Sequence, residues 1–288
     1  MKMQSQAAAN AMGLLSAGHV EAFHRDGFYA PVDAFSAAEA DGLRKSLEAF
    51  ERTLPAGSVA PMYRRRLHAL LPWMRDLVED PRVLDPVQSI IGPDILVFTS
   101  TFFIKEPASE TITAWHQDAL YLGLNEEHIS AWIAFSDATE LAGCVRFVAG
   151  SHKRGQLGHV NKIIANSLNV VSQAIPETYA DSQVRSAPLR RGQLSLHHTL
   201  VIHASEPNRS NDRRIGVSVS YIPTRLKHRG SYRLPATLVR GEDRYGYYDL
   251  EPDVRKMASA EARTAHATAF GRYRQAYEEQ MRLVAGVN

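Results

Sequence analysis

Gly192–Thr224 reads GQLSLHHTLVIHASEPNRSNDRRIGVSVSYIPT, and its texture decides the fold. Gln193–Leu196, Thr199–His203 and Ile215–Ile222 are short β-branched and aliphatic runs divided by turn-forming residues, which predicts strands. In the last of them Ile215, Val217 and Val219 alternate with Gly216, Ser218 and Ser220. Side chains on a strand point alternately to opposite faces, so one face is apolar and the other small and polar. Arg213 falls on the apolar side. Arg214 falls on the side of the small residues, where a ligand has room. The turn SEPNRSND sends the chain back, so the spacing predicts an antiparallel return whose first residues lie near His203.

The same texture extends upstream. Ile95–Lys105 (ILVFTSTFFIK), Thr111–His116, Ile129–Phe135 and Cys144–Val148 are further short runs rich in β-branched and aromatic residues. They do not alternate regularly with helices, and no glycine-rich phosphate loop interrupts them. The expectation is a mainly β sandwich or barrel with flanking helices. Helical spacing marks His19–Gly27 and Ser36–Leu54, where Ser36 and Glu39 form a capping-box pattern. Pro72–Ile91 reads as two helices split at Asp80–Pro81. Leu157–Asp181 is an insertion with helix-forming character, Arg225–Asp249 is expected to form ordered loops over the sheet, and Glu251–Leu283 a terminal helix. With neither repeats nor a linker, the chain is read as one domain. Its helical N-terminal part runs over about 19–92, its β core over 94–224, and its C-terminal loops and helix over 225–288.

Composition narrows the function. The 288 residues are 44% hydrophobic and 22% charged, ordinary values for a chain that buries a sizeable core. A net charge of +2 without a long basic run argues against a nucleic-acid partner. The single cysteine, Cys144, is expected to be a buried small hydrophobe, and it excludes both an internal disulfide and a multi-cysteine zinc site. No apolar stretch is long enough for a membrane span. MKMQSQAAANAMGLLSAGH is broken by Gln, Asn and Gly, unlike a signal peptide, so a loose tail and a cytoplasmic location are expected.

Chemistry concentrates at Thr111–Tyr121, TITAWHQDALY. His116 and Asp118 lie two residues apart at a strand end and therefore share a face. An imidazole and a carboxylate there make two-thirds of a ligand set for a borderline divalent metal such as Fe(II), although a surface strand end offers the same pair. A third ligand must come from another strand, and His197, His198 and His203 are available. A guanidinium at Arg214 is suited to hold a carboxylate in bidentate fashion.

Taken in order, Trp115–Asp118 (WHQD), Ala131–Ala138 (AWIAFSDA), Ala142–His152 (AGCVRFVAGSH) and Leu196–Tyr221 resemble the phytanoyl-CoA dioxygenase family of Fe(II)/2-oxoglutarate oxygenases. The resemblance runs from about Phe23 to Thr224. It implies a double-stranded β-helix, a cupin-like jelly roll. It makes His116, Asp118 and His203 the catalytic iron ligands and Arg214 the anchor for the distal carboxylate of 2-oxoglutarate, with Ser205 and Trp132 lining the cosubstrate pocket. The implied cofactors are Fe(II), 2-oxoglutarate as cosubstrate and O2. Decarboxylation to succinate and carbon dioxide would then be coupled to oxidation of a C–H bond. Halogenases of the family replace the aspartate with a small residue. Asp118, followed by Ala119, therefore points to hydroxylation of a small molecule. ATLVRGEDRYGYYDLEP and SYIPT are similar to segments of oxygenases and halogenases of secondary-metabolite pathways. Desaturation, cyclisation, epimerisation and endoperoxide formation begin with the same hydrogen abstraction and stay open, and a non-catalytic jelly-roll binding protein is the alternative from a different class.

Around this centre Tyr121, Phe103 and Arg64 are candidate substrate contacts, together with Arg146 and the insertion at His159–Asn161. The run Arg64–Arg66 reads either as a solvated loop or as a mobile lid meeting an anionic or carrier-tethered substrate. His197 and His198 are expected beside the pocket, not on the metal. Trp115 should pack on the opposite face, and His152 should have a structural role in its turn.

Overall fold

Two facing β-sheets, most of their strands antiparallel, carry the chain, and a layer of helices covers one of them. The computed structural model describes residues 13–54, 61–124, 128–159, 166–168 and 174–284. The N-terminal tail expectation lies outside the described residues. In chain order the helices are α1 (Ala17–Asp26), α2 (Ala37–Arg52), α3 (Pro72–Glu79), α4 (Pro81–Ile91), the single turn α5 (Ala119–Leu122) and α6 (Ser259–Val284). The Ser36–Glu39 capping box forms as expected, and Asp80 caps α4 by accepting from the Arg82 N–H.

The strands are β1 (Phe28–Asp33), β2 (Ile95–Lys105), β3 (Thr113–His116), β4 (Ile129–Ala134), β5 (Val145–Val148), β6 (Val184–Ala187), β7 (Gln193–His198), β8 (His203–Ser205), β9 (Arg214–Pro223), β10 (Pro235–Arg240) and β11 (Asp249–Leu250). The larger sheet runs β1-β7-β4-β9-β2-β10-β11 and the smaller β3-β8-β5-β6. This is the expected jelly-roll arrangement. Leu47, Met74, Leu77 and Val87 of the helices pack on Ile133, Leu196, Ile215, Val217 and Val219, the outer face of the larger sheet. Each such fully buried aliphatic side chain contributes about 1.5–3 kcal/mol.

A bulge in β2, between Val97 and Thr99, decides what lines the interior. Before it Ile95 and Val97 face the helices; after it Phe102 and Ile104 do. The extra residue reverses the alternation. Thr99, Thr101, Phe103 and Lys105 are thereby turned toward the smaller sheet.

Several expectations are corrected. Thr199–Ile202 is a buried turn, and the strand begins at His203. The apolar run resembles a strand because it is buried, but its backbone groups are satisfied across the chain. The Asp118 N–H donates to Thr199 O, and the Gln117 side chain donates to Leu200 O. The return after His203 is not a hairpin either. β8 belongs to the smaller sheet and β9 to the larger, so His203 and Arg214 face each other across the sandwich. Arg225–Asp249 is more than loops, because β10 extends the larger sheet along β2. Of the insertion, residues 160–165 and 169–173 lie outside the described residues. The described remainder holds no α-helix, only the 3-10 turn Asp181–Gln183.

Candidate active site

His116 and His203 are register partners in the β3–β8 ladder, which is how residues so far apart in sequence meet. Two residues beyond, the backbone N–H groups of Asp118 and Ala119 both donate to Thr199 O, and Asp118 turns back over the end of the ladder. Gln117, fully buried between the two, points the other way. It donates to Gly155 O and Leu200 O and accepts from the Leu157 N–H, which fixes the strand end.

The imidazoles are oriented by their backbones. His116 Nδ1 lies 2.8 Å from Ala114 O, and His203 Nδ1 lies 3.0 Å from Val201 O. A carbonyl accepts, so both Nδ1 atoms carry the proton and both Nε2 lone pairs are free for a metal. Asp118 Oδ1 stands 3.5 Å from His116 Nε2 and 3.9 Å from His203 Nε2. The three ligand atoms lie within 4.8 Å of one another. Burial alone would raise the Asp118 carboxyl, but His203, His116 and His197 around it hold it well below the usual carboxylate range. Burial, with His116 beside it, holds His203 well below the usual imidazole range. An ionised carboxylate and neutral imidazoles are the protonation states a divalent ion requires.

Two residues that sequence reasoning missed support the carboxylate. Ser130 Oγ on β4 donates to Asp118 Oδ2 at 3.0 Å, and His128 approaches Ser130 from behind, its Nδ1 2.8 Å from Thr199 Oγ1. His197 is near but outside the cluster, with Nε2 3.7 Å from Asp118 Oδ2. This is where the sequence reading expected His197, beside the pocket and not in the cluster. For Ser130 the available signal was its inward parity in β4.

Arg214 is 1% exposed, and its Nε and Nη2 have no hydrogen-bond partner among the described residues. Burial pushes its guanidinium down to about 10. A buried cation with unfilled donors, on a residue that lines the cavity, fits an incoming carboxylate. Arg213, by contrast, is held by Glu51 and Glu106 on the helix side, as the alternation predicted. Trp132 lies beside Arg214, its ring centroid 5.3 Å from the guanidinium carbon, and its indole fills the space above Gly216. Of the three small residues expected to leave room, only Ser218 and Ser220 line the cavity. Ser205 Oγ accepts from Lys105 Nζ at 2.8 Å. Lys105, the register partner of Arg214, was not anticipated; burial, with Arg214 adding to it, pushes it down to about 7.

His116, Asp118, His203, Ser205, Trp132 and Arg214 open on one cavity of about 420 Å³, within the usual range for small-molecule sites. Phe103 and Arg64 line it. Tyr121 belongs to α5, and its side chain lies outside the described residues. Arg146 does not line the cavity; it pairs with Glu206 and packs on Trp115. His159 is drawn into the strand-end lock, accepting from the Gln117 N–H at 3.2 Å, and Asn161 lies outside the described residues. Trp115 packs away from the site against Tyr179. His152 is structural, its Nε2 3.1 Å from His24 O. Gly27, at φ +82°, leaves the space this ring needs, since a Cβ there would lie 2.5 Å from His152 Nδ1. Cys144 is buried. The solvated-loop reading of Arg64–Arg66 fails at Arg66, which is 1% exposed and paired with Glu251 at 2.6 Å.

The sequence profile described as phytanoyl-CoA dioxygenase (PhyH) matches residues 23–216. The 1-deoxypentalenic acid 11-beta-hydroxylase of Streptomyces arenae is 31% identical over 166 residues, which is 55% of this chain and 58% of that protein. The chain thus spans a little over half the length of that relative. Among solved structures, a non-haem monooxygenase, ThoJ, in its apo form shares 30% identity with a TM-score of 0.82, covering 91% of this chain and 98% of that one. Its nickel complex superposes with a TM-score of 0.77 at 29% identity, covering 91% and 99%. With well over half of its length matched by that profile, the chain belongs to the phytanoyl-CoA dioxygenase family.

Proposed function

We propose that this chain is a non-haem Fe(II)/2-oxoglutarate-dependent dioxygenase that hydroxylates a small-molecule substrate, of the kind met in secondary metabolism. The observation that carries the reading is one cavity lined both by the His116–Asp118–His203 cluster and by the unpartnered guanidinium of Arg214. Two imidazoles and one carboxylate suit Fe(II) and leave coordination positions open. In this reading His116, Asp118 and His203 hold the metal, Arg214 binds the distal carboxylate of 2-oxoglutarate, and Ser205 and Trp132 shape that pocket. When bound, the iron and 2-oxoglutarate supply the activation of O2 for attack on a C–H bond.

The chain's own residues then bind, orient and exclude water. Ser130 keeps one oxygen of Asp118 turned away from the ligand cluster, so the other faces it. Trp132 and Phe103 keep the interior apolar, and Phe103 and Arg64 are assigned to the substrate side. The nickel complex of the ThoJ neighbour and the hydroxylase name of the Streptomyces relative support a metal-dependent oxygenase. The latter's substrate, by its name an acid, supports a small organic molecule. Asp118 in the position that halogenases leave open supports hydroxylation over halogenation.

Anaerobic titration tests this. 2-Oxoglutarate added to the Fe(II)-loaded protein should bind and give the visible absorption of an iron–oxo-acid chelate. His116→Ala should abolish the absorption. No absorption change and no calorimetric binding with the wild-type protein would overturn the reading. With a substrate in hand, a product heavier by one oxygen atom supports hydroxylation.

A further inference from the structure

The segment carrying Arg64–Arg66 is a strap tied into the fold at several points. Pro61–Arg64 forms one 3-10 turn, Arg65 then makes a β-bridge to Thr101, and the Arg66 N–H donates to Ser100 O at 2.7 Å. From α6, His266 Nε2 donates to Arg65 O at 2.9 Å. Arg66 nails the far end, with its guanidinium on Glu251 and on Phe98 O and its carbon 4.1 Å above the Tyr273 ring.

The two remaining arginines are held differently. Arg64 and Arg65 are half-buried, line the cavity and have no carboxylate within ion-pair distance among the described residues, whereas Arg66, Arg75 and Arg213 all do. Burial lowers both guanidinium groups from their ordinary value. Partial removal of a charge from water with no carboxylate at ion-pair distance is costly, and Glu51 and Glu106 act on Arg64 only from farther away. Such an arrangement is preorganised for an anion that comes from outside the chain. The anion is not the cosubstrate carboxylate at Arg214. Arg65 bridges Thr101, whereas Arg214 pairs with Lys105, four residues further along β2 and on the order of 13 Å away at strand rise. The same cavity that holds the arginines and the metal cluster has apolar wall residues, among them Phe103, Leu122, Leu168, Leu234 and Phe270.

We propose that Arg64 and Arg65 recognise the anionic headgroup, carboxylate or phosphate, of a substrate whose apolar body fills the cavity toward His116, Asp118 and His203. The inference rests on the oxygenase reading for what happens to that body, but the headgroup site itself stands without it.

The test is calorimetric binding of three probes, decanoate, decyl phosphate and decan-1-ol, to the wild-type protein with and without Fe(II) and 2-oxoglutarate under anaerobic conditions. One of the anions should bind at least about tenfold tighter than the alcohol, as expected for lost charged hydrogen bonds, and the tighter anion identifies the headgroup. In the double variant Arg64→Gln/Arg65→Gln the preference should vanish while 2-oxoglutarate affinity and the thermal midpoint stay unchanged. Arg64→Lys/Arg65→Lys should retain part of the preference, which keeps the test decisive should the glutamine pair unfold. A wild-type protein with no preference for either anion overturns the proposal. So does a glutamine variant that keeps the preference, or that loses 2-oxoglutarate affinity in step with it. Failure of the oxygenase reading is seen separately, as absent 2-oxoglutarate binding to the Fe(II)-loaded wild type.

Discussion

Ser130 Oγ holds Asp118 Oδ2 at 3.0 Å, while Oδ1 of the same carboxylate stands 3.5 Å from His116 Nε2. The hydroxyl comes from the larger sheet and the carboxylate follows a strand of the smaller one, so one hydrogen bond joins the two layers at the cluster. Ser130→Ala should weaken metal affinity about 10–100-fold, the usual effect of removing a partner behind a ligand. Competition against a chromogenic chelator measures it. Unchanged affinity would show that Asp118 is oriented without Ser130.

Arg214→Gln should raise the dissociation constant for 2-oxoglutarate about 10–100-fold, since a charge-assisted hydrogen bond contributes about 1.5–3 kcal/mol. Metal affinity should not change. Arg213→Gln is the control, because Arg213 is occupied by Glu51 and Glu106 on the helix side. Equal effects of the two variants would contradict the assignment of the cosubstrate to Arg214.

Gly216→Ala probes the wall beneath Arg214. A Cβ at Gly216 would lie 2.0 Å from Trp132 Cζ2, so the buried indole has to move. Overpacking of this kind costs about 1–3 kcal/mol. Urea unfolding should show that loss, and 2-oxoglutarate affinity should fall with it. A variant as stable as the wild type would mean that Trp132 has room to shift.

The strap predicts the pH response of folding. Burial would raise Glu251, but Arg66 first and then His68 and Thr237 hold it well below its ordinary 4.5. Its contribution is complete above that value and is lost as the pH falls below it. Burial pushes His68 down to about 4 from 6.5, so the folded protein keeps it neutral while the unfolded chain takes up a proton. That contribution is present above 6.5 and declines between 6.5 and about 4. The urea midpoint should therefore fall across this window, and His68→Gln should remove part of the fall. A His68→Gln profile parallel to that of the wild type would sink this explanation. Glu251→Ala, which leaves Arg66 buried and unpaired, should cost about 3–5 kcal/mol.

The parts of this molecule legible in the sequence are those governed by local periodicity. Alternation along Ile215–Ile222 separated Arg213 from Arg214 correctly, and the Ser36–Glu39 pattern marked a real cap. His116 and Asp118 do meet, but Asp118 lies past the end of β3 in a helical backbone conformation, so strand alternation is not what brings it there. What was not legible depends on distant parts of the chain. The bulge at Val97–Thr99 reverses the parity of β2, so Lys105 faces inward where simple alternation from Ile95 places it outward. Thr199–Ile202 has strand composition because it is buried, and only its hydrogen bonds to residues around Asp118 make it a turn. Arg66 looks solvated because its partner, Glu251, lies 185 residues away.

Oxygen-dependent formation of succinate tests the central claim most directly. The protein is assembled anaerobically with Fe(II) and 2-oxoglutarate and then exposed to O2, and succinate is quantified by mass spectrometry. The expected result is succinate above the metal-free control, reduced to that control in His203→Ala and strongly lowered in Arg214→Gln. Succinate indistinguishable from the metal-free control, in a wild-type protein that binds both Fe(II) and 2-oxoglutarate, would contradict it.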